Sequence, residues 1–126
     1  MTKFSLSGII KYEHPELKFE KIKLIQDDGY KIDLIGRFQE LKESHPPLKI
    51  QVNYFISEKP CSLEEAKKRW LAKISGALKA EYNSEEYHYS KWSYGIDYES
   101  NLKIGGHSLF DELRQYENKF LILKMS

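Results

Sequence analysis

Six aromatic side chains fall between Tyr82 and Tyr98: Tyr82, Tyr87, Tyr89, Trp92, Tyr94 and Tyr98. Tyrosine and tryptophan join an apolar ring to a hydrogen-bonding edge, so on open surface they suit contacts with proteins, stacked bases or sugars. Trp92, Tyr94 and Tyr98 share a period of two, and Tyr87 and Tyr89 are out of phase with them. Either both faces of a strand carry rings, or a bulge near Ser90 shifts the phase. Aromatics favour strands in any case, and core filling accounts for one of the two sets as readily as exposure does.

Charge narrows what such a surface would hold. From Tyr82 to Glu99 the carboxylates of Glu85, Glu86, Asp97 and Glu99 face the single Lys91, a net −3. Phosphate backbones require the opposite sign, whereas a basic protein surface is attracted and steered by it. Trp92, Tyr94 and Tyr98 are therefore the candidate ring contacts, with Asp97 and Glu99 supplying charge on adjoining surface. An exposed aromatic strand also suits a homodimer interface.

Catalytic readings are thinner. Cys61 lies just before Ser62 at a helix start, where partial positive charge favours a thiolate, but a thiol nucleophile also needs a histidine base. His107 follows Gly105-Gly106 at a loop-to-helix junction, where an exposed imidazole would serve as a base and a backbone-bonded turn histidine is the commoner outcome. The double glycine lacks the wider phosphate-loop spacing, and Asp111 and Glu112 already complement the positive end of the following helix. Asp27-Asp28-Gly29 fails as a calcium loop, because Leu24, Gln26 and Ile35 occupy ligand positions. His14, His45, His88 and His107 stand at no metal-ligand spacing. Asp97 and Glu99, two apart on a strand, are separated by roughly 7 Å, as in inverting glycoside hydrolases, but so small a domain offers no deep cleft. No catalytic residue, metal or cofactor is assigned.

The elements that would position these residues follow from hydrophobic period. Phe4 to Tyr12 reads as a strand closed by Glu13-His14-Pro15. Ile22 and Leu24, then Tyr30, Ile32 and Leu34, flank Asp27-Asp28-Gly29 as a hairpin. After Pro46-Pro47, Leu48, Ile50, Val52, Tyr54 and Ile56 alternate strictly with mostly polar residues, the cleanest strand in the chain. Ser62 and Glu65 form a capping box, and Leu63, Ala66, Trp70, Ile74, Ala77 and Leu78 predict one long helix to about Glu81, with Lys67, Lys68, Arg69 and Lys73 on its far side. Trp92 to Tyr98 and a short Leu102 to Ile104 segment return to strand. Ser108 caps a short helix carrying Leu109, Leu113 and Tyr116, and Lys119 to Met125, apolar on both faces, belongs inside the sheet.

The order is roughly β-β-β-β-α-β-α-β. It predicts an α+β fold, a curved, mostly antiparallel sheet with one long helix packed on it, over a single domain spanning residues 1–126. A partly open barrel of the OB type is the alternative. The length of 126 residues bounds the chain at one core, and 40% hydrophobic and 13% aromatic content exclude intrinsic disorder. Twenty Lys and Arg against nineteen Asp and Glu disfavour a general nucleic-acid or anionic-membrane binder. A single cysteine excludes a disulfide-stapled scaffold, the first ten residues are too polar for a signal segment, and the longest apolar run is Phe120-Leu121-Ile122-Leu123, so a cytoplasmic protein is expected. The functional expectation is a small soluble, non-catalytic binding protein whose acidic aromatic strand contacts a basic protein. An inhibitor or immunity-type protein of a basic enzyme would carry such a surface. The alternatives are a single-stranded nucleic-acid-binding OB-like module, with the helix lysines tracking phosphates, and a small enzyme using His107 or Cys61.

Overall fold

A computed structural model describes residues 4–14, 16, 19–44 and 49–125. His45, the Pro46-Pro47 interruption, Leu48 and Pro15 lie outside them. Eight strands form one sheet among the described residues: β1 Phe4–Glu13, β2 Lys21–Ile25, β3 Lys31–Asp33, β4 Lys49–Ser57, β5 Ala72–Ser90, β6 Ser93–Ile104, β7 His107–Ser108 and β8 Phe120–Met125. Their spatial order is β3-β2-β1-β8-β4-β5-β6-β7, and every pairing is antiparallel. Three short helices accompany them: α1 Leu34–Ser44, α2 Leu63–Lys67 and α3 Leu109–Glu112, the last followed by a 3-10 turn at Leu113–Tyr116. None is long and apolar enough to cross a membrane.

The expected long helix is not there, and in place of the five strands of an OB-type barrel eight strands form one antiparallel sheet with free ends at β3 and β7. Ser62 does cap a helix, its hydroxyl accepting from the Glu65 amide at 3.3 Å, but α2 ends at Lys67 and β5 begins five residues later. The residues from Ala72 to Tyr82 satisfy two periods at once. Ile74, Ala77 and Leu78 suit a helix; Ala72, Ile74, Leu78, Ala80 and Tyr82 suit a strand, and the strand set is the one turned inward. Pairing decides between them. As a strand this segment bonds to β4 along Ala72–Ala77 and to β6 from Leu78 onward, a gain that overrides the weak local preference for helix. Gly76, poor in a helix interior, has φ +142° and lies directly against Gly105 at the crossing of β5 with the β6–β7 turn.

The second departure is α1. Leu34 closes no strand; it opens a helix in which Leu34, Ile35 and Phe38 are fully buried and Leu41 partly so. Asp33 caps it, its Oδ1 accepting from the Gly36 amide at 3.2 Å. The helix packs on β5 and β2, closing the main core over Ile10, Ile22, Leu24, Val52 and Leu102.

The sheet is covered on both sides at its centre. Leu121, Leu123 and Met125 of β8 enter the main core, while Phe120 and Ile122 join Ala66 of α2 in a smaller cluster. That is why β8 lacks a polar face. Trp70, expected on the helix stripe, instead packs half-buried against this smaller cluster from the α2–β5 connection.

Candidate binding site

β5 and β6 outrun the sheet. β4 accompanies β5 only to Ala77, and β7 accompanies β6 only at Lys103 and Ile104, yet the two strands stay paired to Ser90↔Ser93. The result is a two-stranded arm. From Asn83 to Glu99 every residue is exposed except Ser93 and Gly95, which are half-exposed. Asn83 to Ser90 going out and Ser93 to Glu99 coming back give a reach of roughly 25 Å at about 3.3 Å per residue.

The aromatics sit on this arm, in water. Of the eight large hydrophobic side chains exposed among the described residues, six are Tyr87, Tyr89, Trp92, Tyr94, Ile96 and Tyr98, and only Tyr30 and Leu71 lie elsewhere. Trp92, at the tip, is 91% exposed and Tyr94 63%. A register shift between His88 and Ser90 accommodates the turn, where the Trp92 amide donates to Ser90 Oγ at 3.2 Å. The ring-bearing segment is thus a hairpin and not a single strand. Its register assigns the faces: Tyr98 opposite Ser84, Ile96 opposite Glu86 and Tyr94 opposite His88 share one, while Tyr87 opposite Gly95, Asp97 opposite Glu85 and Glu99 opposite Asn83 share the other. Both faces carry rings. Tyr94 and Tyr98 lie on the face opposite to Asp97 and Glu99, with Trp92 between the faces at the end.

Substituting Trp70 by Phe leaves Trp92 as the sole tryptophan, so acrylamide should quench the variant's selectively excited indole emission nearly as efficiently as free tryptophan. A strongly shielded signal from the monomer would contradict an exposed tip.

Isolated hairpins are marginal in water, so the arm depends on its foot. Tyr82 donates its hydroxyl to Asp33 Oδ1 at 2.7 Å, tying β5 to the residue that caps α1. Burial and this bond to a carboxylate push the Tyr82 phenol far above its ordinary pKa of 10.0, so it stays protonated as the donor. Phe19 contacts the rings of Tyr82 and Tyr98 at 5.3 and 5.1 Å between centroids, and Ser100 Oγ donates to the Glu20 carbonyl. Glu20 in turn is gripped by Arg114, which stacks on Tyr12 at 4.6 Å, and is paired with His14. The Arg114 hydrogen bond holds the Glu20 carboxyl below its ordinary 4.5.

A carboxyl lowered in the folded state stabilises fully above its unfolded pKa, and that contribution is lost as pH falls through the folded value. Glu20→Gln should therefore flatten the loss of urea stability between about pH 5 and pH 2 relative to the wild type. Parallel curves would show that the bond contributes nothing.

The other candidates are placed apart. His107 opens β7 with Nε2 at 3.1 Å from Glu112 Oε2, so its ring faces a carboxylate of α3. Gly105 and Gly106 take φ +58° and +83°, the positive values of a tight turn. Cys61 is half-buried against the Ala66–Phe120–Ile122 cluster. Lys67, Lys68 and Arg69 lie on and just after α2, and Lys73 on β5, so they share no helix face. Among the described residues no three His, Cys, Asp or Glu side chains gather as a metal-ligand set. Comparison with protein-family models, curated proteins and solved structures found no match.

Proposed function

We propose that this chain is a small non-catalytic binding protein whose β5–β6 arm engages a basic protein partner. One observation carries the reading: six large apolar side chains stand together in water on a protruding arm. Leaving so much ring surface hydrated is unfavourable, and rigid aromatic side chains are what binding hot spots are made of. The sign of the arm selects the partner. Glu85, Glu86, Asp97 and Glu99 take part in no ion pair among the described residues, and Glu85 and Asp97 stand directly opposite each other. Like charges so placed repel, and a cationic surface relieves the repulsion while steering association.

Trp92, Tyr94 and Tyr98 are the ring contacts in this reading, with Asp97 and Glu99 contacting the partner's cations on the reverse face. An inhibitor or immunity-type protein, blocking a basic enzyme by insertion of the arm, is its narrower form. The test is capture of a partner on immobilised protein, compared with a Trp92→Ser, Tyr94→Ser variant. Loss of a captured basic protein supports the reading, and unchanged capture by a folded variant ends it.

A further inference from the structure

We infer that the cavity at the foot of the arm receives an arginine or lysine residue of the basic partner, an inference that rests on the arm being the binding surface. The cavity, of about 330 Å³, lies where β6 leaves the sheet and is bounded by Tyr98, Glu99 and Asn101 on one side and by Glu20, Asp111 and Arg114 on the other. It is continuous with the arm, because Tyr98 and Glu99 belong to both.

The chemistry of its walls sets the ligand class. Glu20 and Arg114 bond each other through both carboxylate oxygens and cancel. Glu99 and Asp111 remain, without an ion-pair partner among the described residues, against Lys103. With the Glu20–Arg114 pair cancelled, Glu99 and Asp111 against Lys103 leave the walls net negative, which disfavours an anion and offers a guanidinium or ammonium two carboxylates outside any ion pair. Asn101 supplies the second requirement. It is only 4% exposed, the sole buried polar residue of the described chain, and its Nδ2 has no hydrogen-bond partner. A buried amide donor without an acceptor is unfavourable, and a main-chain carbonyl of the bound segment would satisfy it. A free metal ion or bare ammonium offers no acceptor. A basic residue within a peptide offers both a cation and a carbonyl.

The experiment titrates the isotope-labelled full chain with N-acetyl-arginine methylamide and, separately, with N-acetyl-glutamate methylamide, following backbone and Asn101 side-chain amide signals. The arginine compound should shift signals between Tyr98 and Lys103 together with the Asn101 side-chain amide, and the glutamate compound should not. A Glu99→Gln, Asp111→Asn variant should bind roughly tenfold more weakly, the loss expected of a charge-assisted contact. Should that variant unfold, Glu99→Gln alone serves, because Glu99 is exposed. No shift at these residues, equal shifts from both compounds, or binding indifferent to Glu99 would overturn the inference. Such a failure, with partner capture still abolished by the Trp92 and Tyr94 changes, removes the cavity and leaves the arm.

Discussion

Replacing Trp92 and Tyr94 together by serine should weaken partner binding by about a hundredfold or more while leaving the melting temperature where it was. Each ring, if a hot spot, is worth about 2 kcal/mol or more on truncation, and two neighbours on one surface combine less than additively. Folding should be indifferent, since Trp92 is 91% and Tyr94 63% exposed and neither belongs to a core cluster. Exposed substitutions away from buried features usually fall within about 0.5 kcal/mol. Tyr30→Ser is the control: that side chain is 64% exposed but lies beside β3, at the far end of the strand order. Binding should ignore it. If all three changes act equally, general stickiness and not a defined arm is being measured.

Gly76→Ala should lower stability by about 3 kcal/mol or more, measured by urea denaturation. A Cβ there would stand 2.4 Å from Gly105 Cα and 2.8 Å from its nitrogen, backbone atoms that cannot rotate aside. The φ of +142° adds strain of its own. Gly106→Ala separates the two effects, because Gly106 has φ +83° with nothing within 4 Å of the added carbon. It should cost about 1 kcal/mol, the conformational part alone. Equal losses at the two positions would mean that the contact between β5 and the β6–β7 turn has no weight. The effect should also reach the arm, since the Gly105 amide donates to the Ala77 carbonyl at 2.9 Å just where β5 leaves β4 behind.

What could be read in advance depended on whether a segment's neighbours were local. Ile50, Val52 and Tyr54 alternate on the fully buried face of a strand whose other face is only half-buried, and they form β4 as the period predicts. Asp27-Asp28-Gly29 forms the turn between β2 and β3, with Gly29 at φ +84°. Leu121 and Ile122 point to opposite faces, and the absence of a polar face placed β8 in the interior of the sheet. Residues 70–81 carry helical and strand periods together, and the choice between them is made by partners some twenty-five residues away in either direction. The signal for α1 was present: Asp33 three residues before Gly36, then Leu34, Ile35, Phe38 and Leu41 at helical spacing. It was masked by the alternation of Tyr30, Ile32 and Leu34, which continues a strand into the helix's first turn.

At the candidate site the residue types were legible and the geometry was not. The density of rings and the net −3 marked the arm, but Tyr94 and Asp97 fall on opposite faces because the chain turns back at Ser90–Ser93. Nothing local marks Asn101 or Arg114 as neighbours. They line one cavity because α3, packed on β6, carries the following 3-10 turn with Arg114 beside it, and Glu20 reaches them from the β1–β2 connection.

The position of β8 also governs when the sheet can exist during synthesis. β1 and β4 bond to it on either side and not to each other, so no strand pairing joins β3-β2-β1 to β4-β5-β6-β7 until Phe120–Met125 has left the ribosome. Up to that moment the growing chain presents two bare strand edges beside an apolar arm, the surfaces most prone to pair with the wrong molecule. At about 5–20 residues per second the exposure lasts several seconds, and it ends with one six-residue strand sliding between the halves.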